Sequence, residues 1–142
     1  MIYMDTSFLA PLVIAESSSD AVEQMVQAMK PGELLTGAWT RVELASLIAR
    51  KVWMDELSAT EARAVRGEFG QLLDETFTVL VPTAADFVTA AEYLGMLKTG
   101  FRAGDALHLA IAANCGAKKI LSLDQGMIKA GKRLKLSVMG LA

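Results

Sequence analysis

Two short apolar runs, each cut off by an aspartate, constrain this chain more than any other feature. Ile2-Tyr3-Met4 stops at Asp5-Thr6-Ser7, and Lys119-Ile120-Leu121-Ser122-Leu123 stops at Asp124. Apolar runs this short, ended by polar turn residues, read as buried strands. Glu33-Leu34-Leu35-Thr36, Thr78-Val79-Leu80-Val81-Pro82 and a last run from Leu136 to Leu141 complete a set of five. Helical segments lie between them. Phe8 to Ala15 is expected to form a short helix with Pro11 in its first turn. From Asp20 to Lys30 the residues Ala21, Val22, Met25, Val26 and Met29 make one helical stripe. A long helix is predicted from about Ala38 to Trp53, and Ser58-Ala59-Thr60-Glu61 is a capping box opening another, to about Glu75. Thr83 and Asp86 cap the next, and Ala103 to Cys115 is almost wholly apolar and closes at Gly116, as a buried helix with a glycine C-cap does. Strands alternating with helices predict an α/β sandwich around a parallel sheet. In such sheets ligands sit beyond the carboxyl ends of the strands.

No linker, repeat or charge block divides the 142 residues, so one domain over 1–142 is expected. With 53% hydrophobic residues and only 3 prolines, the composition excludes a disordered chain. The longest apolar run, Phe8 to Ala15, is far short of the ~20 residues that span a bilayer. No basic region followed by an apolar stretch and a cleavage site is visible, and Cys115 has no second cysteine to pair with. A cytoplasmic protein with no membrane partner is expected. The single histidine, His108, rules out His-rich zinc sites. Any chemistry here falls to carboxylates. Net charge is −2, yet Lys98 to Lys135 holds eight basic residues against two acids, while residues 1–97 hold six against fourteen. A basic segment in an acidic chain suggests a surface that faces a polyanion, the alternative being a solvated helix rim with a charged tail.

Four of the acids stand in apolar company. Asp5 and Asp124 follow strands directly; Glu43 lies among Val42, Leu44, Ala45, Leu47, Ile48 and Ala49; Asp105 opens the most apolar helix. A carboxylate withdrawn from water needs a counter-charge, and hard cations such as Mg²⁺ favour carboxylate oxygens. Each acid also has a local explanation. Asp5 can cap a helix starting near Ser7, Asp105 can pair with Arg102, and Asp124 can serve a turn. Glu43 has no such local task. His108 is read as a core or supporting residue, and Trp39 and Trp53 as packing residues, with Trp39 one turn before Glu43 and within reach of a cleft.

Four blocks together carry a family resemblance: MIYMDTSFLA, Thr40-Arg41-Val42-Glu43-Leu44-Ala45, Arg102-Ala103-Gly104-Asp105-Ala106-Leu107-His108-Leu109-Ala110 and Leu121-Ser122-Leu123-Asp124. The chain resembles the PIN-domain family throughout, and within it the VapC-type toxins of toxin–antitoxin pairs. The resemblance implies a Rossmann-like three-layer sandwich and a Mg²⁺-dependent ribonuclease, with Mn²⁺ as a plausible substitute. It carries the family's acidic positions onto Asp5, Glu43, Asp105 and Asp124, with Asp5 and Asp105 holding metal and the other two assisting directly or through water. Ser7 resembles the small hydroxyl residue beside the first aspartate, and Ser122 stands where the family often has threonine. Gln125 departs from the pattern, which often has a further acid there. RNA, a cognate antitoxin protein and a second copy of the chain are the expected partners.

Phosphodiester hydrolysis is the chemistry this set of groups suits, with Arg102, Lys118 and Lys119 expected to hold flanking phosphates on a basic rim around an acidic floor. Two other readings stay open at this point. One is a PIN-like module that binds RNA or protein without catalysis. The other is a receiver-like Mg²⁺-binding signalling domain, although Asp5 lacks the adjacent second acid such a domain requires.

Overall fold

The computed structural model describes residues 1–96 and 101–141. Lys98, counted above in the basic segment, lies outside them. The chain begins with β1 (Ile2–Met4), which runs into a four-residue helix α1 (Thr6–Leu9) and a 3₁₀ turn over Ala10–Leu12. The expected helix over Phe8 to Ala15 therefore starts earlier and ends sooner. Asp5 starts it, because its side chain accepts a hydrogen bond from Phe8 N, and Pro11 lies in the tighter 3₁₀ turn. Next come α2 (Ser19–Gln27), β2 (Leu34–Gly37), α3 (Trp39–Trp53) and α4 (Ala59–Thr76). The capping box of α4 forms as expected: Glu61 N bonds Ser58 Oγ and Ser58 N bonds Glu61 Oε1, both at 3.0 Å. Then follow β3 (Thr78–Leu80), α5 (Ala84–Met96), α6 (Ala103–Asn114), β4 (Lys119–Leu121), α7 (Gln125–Arg133) and β5 (Val138–Met139).

All four strand pairings are parallel, in the order β3-β2-β1-β4-β5. Side chains alternate across this sheet and feed two cores. Met4, Leu34 and Leu121 point to one face, against α1 to α4; Tyr3, Leu35 and Ile120 point to the other, against α5, α6 and α7. The result is a doubly wound three-layer sandwich. Strand order reverses at β1, where β2 lies on one side and β4 on the other. That is the topological switch point, and the carboxyl ends of β1 and β4 bound a crevice there.

Helix α7 was not foreseen, because its polar face carries Lys129, Lys132 and Arg133 and its nine residues read as part of a charged tail. Its other face buries Met127, Ile128 and Ala130. Gly131 brings α7 hard against β5: a Cβ there would lie 2.2 Å from Val138 Cγ2 and 2.8 Å from Val138 Cβ. Gly131→Ala should therefore destabilise the protein by about 1–3 kcal/mol despite alanine's better helix propensity. The urea midpoint reads this directly, and an unchanged midpoint would contradict the packing of α7 on β5.

Candidate active site

A cleft of about 370 Å³ opens beyond the carboxyl ends of β1 and β4, and Asp5, Ser7, Glu43, Asp105 and Asp124 all line it. Each acid arrives from a different element. Asp5 ends β1 and N-caps α1; Glu43 projects from α3; Asp105 sits in the first turn of α6; Asp124 N-caps α7. The local explanations for Asp5 and Asp124 thus hold alongside their position on the cleft.

Asp5 is 3% exposed and held by three donors. Ser7 Oγ at 2.7 Å and Phe8 N at 3.1 Å donate to Oδ1, while Ser122 Oγ donates to Oδ2 at 2.6 Å. Ser7 and Ser122, the two hydroxyls singled out in the sequence, therefore both fix this carboxylate. Burial pushes the Asp5 pKa up, against the opposing pull of His108 and of those hydrogen bonds.

Glu43 has the most elaborate support. Its Oε1 receives Thr6 Oγ1 at 2.7 Å and contacts His108 Nε2. Thr6 spends its one hydroxyl proton on Glu43, so Thr40 Oγ1, 2.7 Å away, donates to Thr6. Burial raises the Glu43 pKa, but the hydrogen bond and attraction from His108, with Thr6, outweigh it and hold the carboxyl below its ordinary value. Thr6 and Thr40 were missed in the sequence. Thr6 sat in plain view between Asp5 and Ser7, but nothing local linked it to residues 34 and 37 positions further on.

Asp105 is pushed up to about 6, chiefly by burial and then by the charge of Asp124, with Arg102 opposing and Asp5 and Glu43 adding to the rise. Asp124 accepts Gly126 N at 2.8 Å and Met127 N at 3.2 Å on Oδ1. Arg102 reaches over both acids, with Nη2 3.5 Å from Asp124 and Nε 3.9 Å from Asp105, while its own side chain stays 80% exposed. So open a pair contributes little stability.

Lys118 and Lys119 do not line this cleft. They lie at the amino end of β4, where Lys118 N bonds Met1 O, whereas the cleft lies beyond its carboxyl end. The stretch from Lys119 to Asp124 carries the chain roughly 15 Å along the strand direction. Among the described residues of the basic segment, Arg102 lines the cleft, and Lys129, Lys132 and Arg133 are exposed on α7. A second arginine stands on the cleft. Arg50 lines the cleft from α3, and Glu43, Leu47 and Arg50 recur at i, i+4 and i+7, a helical period that points all three the same way.

Among the described residues no three acidic, histidine or cysteine groups stand close enough to form a ready-made cation cage. The donor set nevertheless fits a hard divalent cation: four carboxylates face one cleft, and their mutual repulsion already raises Asp105. Glu43 Oε2 and the Trp39 indole nitrogen pack against Gly104, and a Cβ on Gly104 would lie 2.9 Å from each. Gly104→Ala should therefore displace Glu43 and cut any activity of the cleft roughly tenfold or more, with little change in melting temperature. Full activity in this variant would show that Glu43 need not keep its place.

The sequence pattern of the PIN domain matches residues 2–133. The chain belongs to the PIN domain family. Solved PIN-like structures share the fold with low identity. VapC20 of Mycobacterium tuberculosis, described as a Sarcin-Ricin loop cleaving toxin, superposes with a TM-score of 0.74 at 21% identity, covering 92% of this chain and 95% of that one. FitAcB of Neisseria gonorrhoeae gives 0.74 at 19% identity, covering 98% of this chain and 96% of that one. VapBC2 of Rickettsia felis, bound to a fragment of promoter DNA, gives 0.66 at 16% identity with complete cover of both. No curated protein sequence matches the chain. In this PIN domain the five parallel strands and flanking helices have the family's architecture, and none of the described helices is long and apolar enough to cross a membrane.

Proposed function

We propose that this PIN domain is a metal-dependent endoribonuclease, the toxin of a toxin–antitoxin pair, and that the acidic cleft is its active site. The observation that carries the reading is the convergence of Asp5, Glu43, Asp105 and Asp124, from four separate elements, on one cleft at the switch point of the sheet. The structural neighbours support it, since one is named a Sarcin-Ricin loop cleaving toxin and others are VapBC and FitAB assemblies. Asp5 and Asp105 would hold the cation, with Glu43 and Asp124 assisting directly or through water. Mg²⁺ or Mn²⁺ bound there supplies positive charge at the scissile phosphate and makes an attacking water easier to deprotonate.

The chain's own residues do the rest. Ser7, Ser122 and Phe8 N hold Asp5 in one orientation, and Thr6 and His108 do the same for Glu43, so these two carboxylates need little reordering when substrate arrives. Among the described residues, Arg50 and Arg102 are the cations on the cleft wall able to meet flanking phosphates without reading sequence. An antitoxin would cover the cleft, and a second copy of the chain and a cytoplasmic setting complete the reading.

Two measurements test this. Expressed without an antitoxin, the wild-type chain should arrest growth and generate new RNA 5′ ends, and an RNA end map identical to that of uninduced cells would contradict it. RNA affinity against salt should lose about one unit of slope in Arg50→Ala and none in the Lys118→Glu, Lys119→Glu double variant. The reverse pattern would move the RNA to the other end of the sheet.

A further inference from the structure

Behind the contact of Glu43 with His108 runs a buried polar rod whose far member, Tyr3, has no part in the reading above. Tyr3 is fully buried on β1 and His108 is 1% exposed on α6. Tyr3 Oη lies 2.7 Å from His108 Nδ1, the two rings meet edge to face, and His108 Nε2 contacts Glu43 Oε1. The rod thus links the central strand, the most apolar helix and the cleft-lining helix. Gly37 makes room for its far end, because a Cβ there would lie 2.6 Å from Tyr3 Oη and 2.9 Å from Ile111 Cδ1.

This arrangement is more than burial requires. Six of the seven buried residues of α6 are apolar, and a leucine at position 108 would satisfy packing alone. Instead both ring nitrogens are engaged. An ionised Glu43 can only accept, so Nε2 is the donor in that contact, and the Tyr3 hydroxyl fixes the ring through the opposite nitrogen. A glutamate has a long side chain whose carboxylate, left alone at the mouth of a cleft, would sample several rotamers. Here Oε1 is tied to the rod and to Thr6, and Oε2 packs against Gly104 at the cleft.

We infer that Tyr3 and His108 are positioning residues, which act through Glu43 by fixing the direction in which its carboxylate meets the cation and the scissile phosphate. The inference rests on the nuclease reading for what Glu43 does, but not for how it is held. It distinguishes this chain's glutamate from its aspartates: Asp5 is fixed by hydroxyls in its own turn and a neighbouring strand end, whereas Glu43 depends on a tyrosine and a histidine 40 and 65 residues away in sequence.

The test uses three variants of the full chain. Tyr3→Phe removes one hydroxyl and keeps the ring. His108→Gln keeps a nitrogen donor where Nε2 was, and His108→Leu keeps only volume. RNA turnover, RNA affinity, Mn²⁺ affinity without RNA (by paramagnetic resonance) and melting temperature are measured for each. Groups that orient a ligand are typically worth ~10–100-fold in metal affinity or activity. Turnover should fall about tenfold in Tyr3→Phe and about a hundredfold in His108→Leu, with His108→Gln recovering roughly tenfold of the latter, and Mn²⁺ affinity should fall in the same order. RNA affinity should stay within about twofold of wild type, because the rod touches neither Arg50 nor Arg102, the cations proposed to hold the flanking phosphates. A merely structural role predicts the opposite split: melting temperature moves while turnover and Mn²⁺ affinity of the folded protein do not. Folded Tyr3→Phe and His108→Gln proteins with wild-type turnover and Mn²⁺ affinity would overturn the inference, whether or not His108→Leu folds. Should wild type itself cut no RNA, the nuclease reading fails, and Mn²⁺ affinity alone decides the inference: a graded loss upholds it and equal affinity overturns it.

Discussion

Asp5→Asn protein should fold, bind RNA and cut essentially none of it. The substitution preserves shape, and the amide oxygen of the new side chain can still accept Ser7 Oγ and Phe8 N, as Asp5 Oδ1 does now. At the other position, Ser122 Oγ must turn from donor to acceptor, a rearrangement costing about 1 kcal/mol at most, against which the relief of a buried charge acts. Function has no such reserve. The charge lost is the most buried of the four carboxylates, and removing one strong electrostatic contact from an active site costs about 10²–10³-fold in turnover. Glu43→Gln should approach the same loss, because its amide oxygen can still take Thr6 and His108 where Oε1 was, which leaves an uncharged nitrogen donor where Oε2 faced the cleft. Asp124→Asn should lose less, since its Oδ1 is already committed to capping α7. Single-turnover cleavage and RNA affinity, measured on the same preparations, separate chemistry from binding. Turnover by Asp5→Asn protein at the wild-type rate would remove Asp5 from the site.

Neutralising Asp105 should stabilise the cation-free protein. Its carboxyl sits near 6 in the fold instead of 3.8, so the folded state takes up a proton in the window between those values that the unfolded chain does not. Stability therefore falls as pH rises from about 4 to 6, and above about 6 the whole cost of the buried, crowded charge is present. A shift of this size corresponds to at most ~3 kcal/mol, and solvent screening brings it to about 1–2 kcal/mol. In EDTA at a pH of about 7.5, Asp105→Asn should melt roughly 3–6 °C above wild type, and the difference should shrink toward a pH of about 4. Millimolar Mg²⁺ should raise the wild-type melting temperature and leave the variant nearly unmoved, because only the intact cluster gains from binding. A variant that melts below wild type at neutral pH, or a gap that widens in acid, would mean that Asp105 is stabilised by its neighbours.

The alternation of short strands with helices made the doubly wound sheet legible, and strands that stopped at Asp5 and Asp124 pointed to the end of the sheet that holds the cleft. What escaped was whatever depends on distance across the sheet. Lys118 and Lys119 looked close to Asp124 because few residues separate them in sequence, yet a strand between them carries the chain from one end of the sheet to the other. Helix α7 hid behind its basic face, although Asp124 followed by Gly126 and Met127 is a working N-cap. Glu43 was recognised by having no local partner, and its partners are indeed non-local: Thr6 from the turn after β1 and His108 from α6. His108, expected as a core or supporting residue, is both buried and bonded to Glu43 of the cleft. No periodicity reveals such a bond, because it requires knowing which helix faces which strand end.

If four carboxylates from four elements form one cation-dependent phosphodiester-cleaving site, stripping wild-type protein with EDTA and restoring Mg²⁺ or Mn²⁺ should switch RNA cleavage off and on. Cleavage should be absent in EDTA and return on titration with either cation. It should stay absent in Asp5→Asn protein of equal melting behaviour treated in parallel. Cleavage that persists in EDTA, or that returns equally in the Asp5→Asn protein, would contradict the account.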